Sequence, residues 1–82
     1  EDVQTLINPT GDLDIIEVTV TESAPVAGRQ LDEIALPEGS LLISTADRKE
    51  LAGPETVLEP DERYILAVES DVVDEVLNLM RG

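Results

Sequence analysis

The chain contains no cysteine and no histidine, and aromatic residues make up 1% of its 82 positions. These absences exclude a disulfide framework, a thiolate nucleophile and any Cys-based or His-based metal site. Tyr64, the single aromatic residue, cannot provide a platform on which several bases stack. The hydrophobic core must therefore be built from Leu, Ile, Val and Ala.

Basic residues are also scarce, with 5 Lys plus Arg against 19 Asp plus Glu and a formal net charge of -14. A surface of this charge repels the phosphate backbone of nucleic acids and the head groups of anionic lipids. The apolar runs are far shorter than the roughly 20 residues that span a bilayer. We therefore predict no nucleic-acid partner and no direct membrane insertion.

The acidic residues are spread over the whole length, and Lys49 is the single lysine. At 1 M salt, repulsion between exposed carboxylates is screened within about 3 Å. This composition predicts a protein adapted to molar intracellular salt, as in a halophilic archaeon. The alternative is a dedicated acidic interaction surface.

Catalytic motifs are missing. None of Ser23, Ser40 and Ser44 lies in a GxSxG elbow, and the chain has neither a GxGxxG sequence nor a P-loop. Without histidine or cysteine, a general base would have to be a carboxylate or a lysine with a strongly shifted pKa. We predict no enzymatic activity and no catalytic residue.

Acidic groups such as Asp71, Asp74 and Glu75 offer oxygen atoms that calcium or magnesium prefers. The spacing of an EF-hand loop is absent, however, and Ser70 or Asp71 is equally well explained as the cap of a final helix. We predict no metal ligand.

Hydrophobic periodicity predicts one small α+β domain, with the order β-α-β-β-β-α and a mixed or antiparallel sheet covered by helices. The predicted elements are strands at 13–20, 40–46 and 63–68, a short extended pair at 57–58, a helix of two turns at most within 28–36, and a final helix from residue 70 or 71. One side of the final helix is predicted to carry an apolar stripe of Val72, Val73, Val76, Leu77, Leu79 and Met80. In the last strand, either Tyr64, Leu66 and Val68 or Ile65 and Ala67 point inward.

Residues 1–12 end in the turn cluster NPTG and predict an interdomain linker or the tail of a preceding element, with the domain itself at 13–82. The first residue is Glu1 rather than Met, which we interpret as an excised part of a longer protein. A thin core leaves apolar sheet surface for a symmetric partner. We expect a homodimer and take Ile16 as a candidate residue of its interface.

Arginine is rare enough here to be informative. Arg29 and Arg48 could clamp a phosphate, because a guanidinium donates two parallel hydrogen bonds to it. The alternative is that each forms a surface ion pair.

The order IIEVTVTESAPVAGRQLDEIALPEGSLLISTADRKE, followed by GPETVLEPDERYILAVES, resembles the TrkA-C, or RCK C-terminal, domain family. The resemblance extends from Leu13 to the C-terminus. Gly28 matches the family glycine before the short helix, and Pro54 and Pro60 match two family prolines. Where the family has Gly-Asp, this chain has Asp61-Glu62.

The resemblance implies a regulatory, dimerising domain of a potassium or other ion transport system, in the cytoplasm and peripheral to a membrane transport subunit. Some members bind cyclic di-AMP with apolar residues and an arginine beside the short helix. Leu31, Asp32 and Leu36 occupy comparable places, while Pro37 stands where that arginine would be. The implied ligand-binding set is Arg29, Leu31, Asp32, Leu36 and Arg48, with cyclic di-AMP or another nucleotide as ligand and no resident cofactor.

Overall fold

Four strands form one antiparallel sheet, and a short antiparallel pair and a helix pack beside it. The computed structural model of the chain describes residues 3–7, 12–47 and 50–82. In chain order the elements are β1 (Val3–Ile7), β2 (Leu13–Thr19), β3 (Arg29–Gln30), a 3-10 turn (Leu31–Glu33), β4 (Ser40–Thr45), β5 (Val57–Leu58), β6 (Arg63–Glu69), a second 3-10 turn (Ser70–Val72) and α1 (Val73–Arg81). The sheet order is β1-β2-β6-β4, and β3 pairs with β5.

The α+β class predicted from the sequence is confirmed, with antiparallel rather than mixed pairing. The short helix predicted within 28–36 is wrong, since strand β3 and a single 3-10 turn occupy this stretch. Backbone bonds to a distant segment explain the difference. The Leu31 amide donates to Thr56 O (2.7 Å) and the Asp32 amide to Pro54 O (3.0 Å), so these groups do not extend a helix.

The inner face of the sheet is the core face. It consists of alternate strand residues that are fully or almost fully buried, namely Ile16, Val18, Leu42, Tyr64, Leu66 and Val68. Tyr64, Leu66 and Val68 are therefore the inward set of β6. Ile16 is 2% exposed, so our choice of Ile16 as a dimer-interface residue is wrong. Strand alternation carries it into the core instead.

The outer face of the sheet is formed by the strand residues that alternate with these: Leu13, Ile15, Glu17 and Thr19 of β2, Leu41 and Ser44 of β4, and Arg63, Ile65, Ala67 and Glu69 of β6. The register aligns Leu41, Ala67 and Ile15 across three strands, with Ser44, Ile65 and Glu17 in the next row. Leu41 is 63% exposed. Helix α1 and the β3–β5 pair contribute to the core cluster on the inner face, which includes none of these outer-face residues.

Strand β1 pairs antiparallel with β2, in a register that places Val3 opposite Val18. The sequence did not predict this strand, because 1–12 lack a sustained period and the edge position depends on pairing with β2. The predicted turn cluster at 8–11 lies outside the described residues. The division of the chain at residue 13 stays a prediction.

Helix α1 completes the core through Val76 and Met80, which are fully buried, and the predicted apolar stripe is confirmed. The predicted cap is wrong. Ser70 and Asp71 lie inside the second 3-10 turn, and the α1 cap position is Val72, without a side-chain hydrogen bond. The first turn of α1 still carries two acidic residues, which suit the positive end of a helix.

The turn before β6 connects Glu59 to Glu62 through a backbone hydrogen bond of 3.2 Å. Asp61 adopts a positive φ of 69°, the conformation that position three of a type II turn requires. The aspartate that stands where the family has glycine therefore adopts a conformation that is strained for a residue with a Cβ atom. The Asp61 amide donates to Val20 O at 2.7 Å, which ties this turn to the end of β2.

Candidate functional site

Arg29 is positioned by a tight turn in front of β3. Gly28 has a φ of 79°, which a residue with a Cβ atom rarely adopts, and no atom lies within 4 Å of the position a Cβ would take. The Gly28 amide donates to Leu58 O (2.7 Å) and the Arg29 amide to Val26 O (3.1 Å). Glycine is therefore required here for the positive φ of the turn. This turn places Arg29 on the surface near Leu79 of α1.

The 3-10 turn that follows β3 holds the Glu33 carboxylate in place near Arg29. The Gln30 amide donates to Glu33 Oε1 at 3.0 Å, as half of a capping box. The Ile34 amide donates to Leu31 O at 3.1 Å and closes the turn. One oxygen of the Glu33 carboxylate is thus engaged with backbone.

Arg29 and Glu33 lie on the wall of a cleft of about 360 Å³ between this loop and the end of α1. Its other lining residues are apolar: Pro25, Val26, Ile34, Ala35 and Leu79. Ligand pockets commonly range from about 300 to 1,000 Å³ and combine apolar walls with a few polar groups. The cleft is therefore large enough for a small ligand or for one part of a larger one.

Two arginines of the chain have contrasting surroundings. Arg63 donates from Nη1 to Glu17 Oε2 at 3.1 Å and from Nη2 to Asp47 Oδ1. The hydrogen bond and charge of Asp47, followed by the charge of Glu17, raise the pKa of Arg63. Within the described part of the chain, no carboxylate forms an ion pair with Arg29. Arg29 is therefore available to an anionic ligand, whereas Arg63 is engaged by the protein itself.

Two further surface clefts have similar volumes but a different chemistry. One, of about 340 Å³, includes Glu50 and Glu59, and the other, of about 330 Å³, includes Asp12, Glu69 and Asp71. Neither lining includes a basic residue. Carboxylates without a cation repel an anion, so an anionic ligand is expected at the Arg29 cleft alone among these three.

The structure separates the site residues predicted from the sequence. Arg29 lines the cleft, but Leu31 and Leu36 are half-buried and pack against the core, and Asp32 is exposed outside the lining. Arg48 lies outside the described residues. Among the described residues, the cleft therefore brings Arg29 together with Ile34 and Leu79 rather than with Leu31, Asp32 or Leu36, and the predicted binding set stays a prediction.

Sequence reasoning missed most of the cleft. Pro25 and Gly28 bracket the turn that forms one wall, and this spacing was the available signal. Leu79 was assigned to the apolar stripe of the final helix, where it also packs against the core. Its proximity to the loop depends on a contact distant in sequence, marked by the Val26 amide donating to Leu79 O at 3.3 Å.

A search of residues 3–7, 12–47 and 50–82 finds no three Asp or Glu side chains grouped closely enough to hold a metal ion. Nor does any helix in the described segments combine the length and apolar character needed to cross a membrane.

The crystal structure of the GsuK RCK domain is similar to this chain, with a TM-score of 0.72 and 27% sequence identity, so the fold is that of a small α+β domain of the RCK type. The similarity covers 95% of this chain and 18% of that chain. The search of curated proteins gave no match.

The family model of the TrkA-C domain matches residues 15–81, and the chain belongs to this family. TrkA-C and RCK domains are regulatory domains of ion transport systems rather than catalytic domains.

Proposed function

We propose that this chain is a dimerising, ligand-sensing regulatory domain of a potassium or other cation transport protein. The observation that carries the sensing part is the Arg29 cleft. In a chain with a net charge of -14, it places a guanidinium without an ion pair among the described residues beside an apolar surface. That combination suits a ligand with both an anionic group and an apolar or aromatic part.

Nucleotides have this chemistry, and cyclic di-AMP, ATP, ADP and NADH are the candidates to test. The guanidinium would donate to a phosphate, and Ile34 and Leu79 would contact a base or sugar. A cyclic dinucleotide is too large to fit entirely within a cleft of about 360 Å³, so part of it would extend beyond the lining residues.

The mechanism we propose is a shift between dimer geometries. An effector that binds the cleft more tightly in one dimer geometry raises the population of that geometry. The ratio of its affinities for the two geometries sets the largest shift in the equilibrium between them. The segment before Leu13 would transmit the change to the parent protein, at the cytoplasmic side of a membrane transport subunit. The acidic surface would adapt the domain to molar salt inside a halophilic cell.

A second function is a structural dimerisation module without a ligand, in a potassium transporter or in a transporter of another ion. The presence of Glu33 in the same cleft favours it, because this carboxylate opposes the binding of an anion.

The test is thermal unfolding in 1 M KCl with each of the four nucleotides. A ligand at one hundred times its dissociation constant adds about 2.7 kcal/mol, which raises the midpoint by about 10 to 20 °C for a domain of this size. We expect one nucleotide to raise the midpoint of the wild type and to lose this effect in Arg29→Gln.

Arg81→Gln is the matched control, since it removes the same charge from a residue outside the cleft lining. It should keep the response. Equal loss in both variants would indicate a general charge effect, and no response to any of the four compounds would favour the structural module.

A further inference from the structure

The outer face of the sheet is an apolar surface that the core cluster does not include. Its apolar residues are Leu13, Ile15, Leu41, Ile65 and Ala67, and the register places Ile15, Leu41 and Ala67 in one row. Leu41 is 63% exposed. An apolar sheet face of this kind marks an interaction surface.

Charge indicates which partner fits this surface. The face carries two acidic residues, both near its ends. Glu17 accepts a hydrogen bond from Arg63 of the same face at 3.1 Å, and Glu69 lies opposite Leu13 at the last position of β6. A cationic partner would be attracted to the acidic surfaces elsewhere on the chain. A second copy, which itself carries a charge of -14, can approach closely only where carboxylates are few.

The size of the face indicates a weak association. Strands β2 and β6 have seven residues each, which at about 3.3 Å per residue gives a length of about 23 Å. The three strands that carry the face, β2, β6 and β4, are about 4.8 Å apart and give a width of about 14 Å. The resulting area of about 330 Å² is well under half of the roughly 800 Å² that each partner buries in a standard interface.

A weak apolar contact between two strongly negative molecules is sensitive to salt. The distance over which charges repel one another falls from about 10 Å at 0.1 M to about 3 Å at 1 M ionic strength. We propose that the outer face binds the same face of a second copy and that ionic strength controls this association. The inference rests on the dimer of the proposed function and specifies its interface and its regulation.

The consequence for a transport system is direct. A regulatory domain that dimerises when intracellular salt is high would report the concentration of the ions that transport changes. Screening depends on ionic strength and not on the identity of a monovalent cation, so potassium and sodium should act alike.

Sedimentation equilibrium of the 82-residue chain tests the proposal, with circular dichroism to verify folding. The dissociation constant of the wild-type dimer should fall at least about tenfold from 0.1 M to 1 M KCl, and equally in NaCl. If the chain unfolds at 0.1 M KCl, the wild type is instead compared with the double variant Asp74→Asn/Glu75→Gln at a single salt concentration. At the lowest salt that keeps both proteins folded, this less acidic variant should dimerise more tightly than the wild type.

Leu41→Glu tests the face, and Val57→Glu is its control, because Val57 is also exposed and lies on β5. Each variant adds one negative charge. In 1 M KCl, Leu41→Glu should be a folded monomer at concentrations where Val57→Glu is a dimer. Should Leu41→Glu misfold, Ala67→Glu in the same row takes its place.

The outcomes separate the two proposals. If Leu41→Glu and Val57→Glu dimerise equally well, the outer face is not the dimer interface, although the chain still dimerises. A dimer whose dissociation constant does not change with ionic strength overturns the proposal that ionic strength regulates the association. A wild type that stays monomeric at millimolar concentration in 1 M KCl overturns the dimer of the proposed function as well.

Discussion

The two faces of the four-stranded sheet are built from neighbouring residues of the same strands, yet they differ in what they contact. On the inner face, Leu66 and Val68 are fully buried against the helix and the β3–β5 pair. On the outer face, Ile65 and Ala67 are half-buried and lie outside the core cluster. One face therefore stabilises the domain by itself, and the other has apolar surface left for association.

Replacing Leu66 with alanine should have the largest effect on stability. The side chain is fully buried, and truncation of such a leucine costs about 2 to 5 kcal/mol through lost burial and a residual cavity. Ile65→Ala on the outer face should cost less, about 1 kcal/mol, since this side chain is only half-buried and lies outside the core cluster. Urea unfolding in 1 M KCl measures both, and similar losses for the two variants would contradict the distinction between the faces.

Tyr64→Phe should come next. The buried hydroxyl accepts from the Glu59 amide at 2.8 Å and donates to Val57 O at 3.2 Å. Its removal leaves these backbone groups without that partner, at a cost of about 1 to 3 kcal/mol. Ser44→Ala removes a hydroxyl from the outer face and should change stability by about 0.5 kcal/mol or less. The same urea titration compares them, and a neutral Tyr64→Phe would show that the hydroxyl does not stabilise the β5–β6 connection.

Asp61→Gly should have the smallest effect, and it should be stabilising. Glycine adopts the observed positive φ without the steric penalty of a Cβ atom, although its greater freedom in the unfolded chain offsets part of the gain. We expect about 0.5 kcal/mol of added stability and a loss in Asp61→Ala. Because this turn leads into β6, destabilisation by glycine would mean that the Asp61 side chain supports the register that distinguishes the two faces.

Local sequence patterns correctly predicted the elements whose conformation depends mainly on their own residues. The alternation of β-branched residues in β2 and the apolar stripe of α1 were sufficient to identify both. Strand β1 and the loop of residues 28–36 were not predictable in this way. Their conformations depend on partners distant in sequence, namely β2 for the former and Pro54, Thr56 and Leu58 for the latter.

The candidate site shows the same limit. Arg29 was identifiable because arginine is rare in so acidic a chain, and Gly28 because it matches the family glycine at this point of the sequence. Ile34 and Leu79 were not, since leucine and isoleucine at helical spacing indicate core packing first. Only the contact between the loop and the end of α1 makes them walls of a cleft.

The central claim is that this regulatory domain binds an anionic effector beside Arg29. Titration of the ¹⁵N-labelled chain with cyclic di-AMP, ATP, ADP and NADH in 1 M KCl, followed by amide chemical shifts, tests it most directly. We predict that one of them shifts the amides of Val26, Arg29, Ile34 and Leu79 in the wild type and not in Arg29→Gln. Shifts confined to the clefts that hold Glu50 or Asp71, or none with any of the four compounds, would contradict the claim.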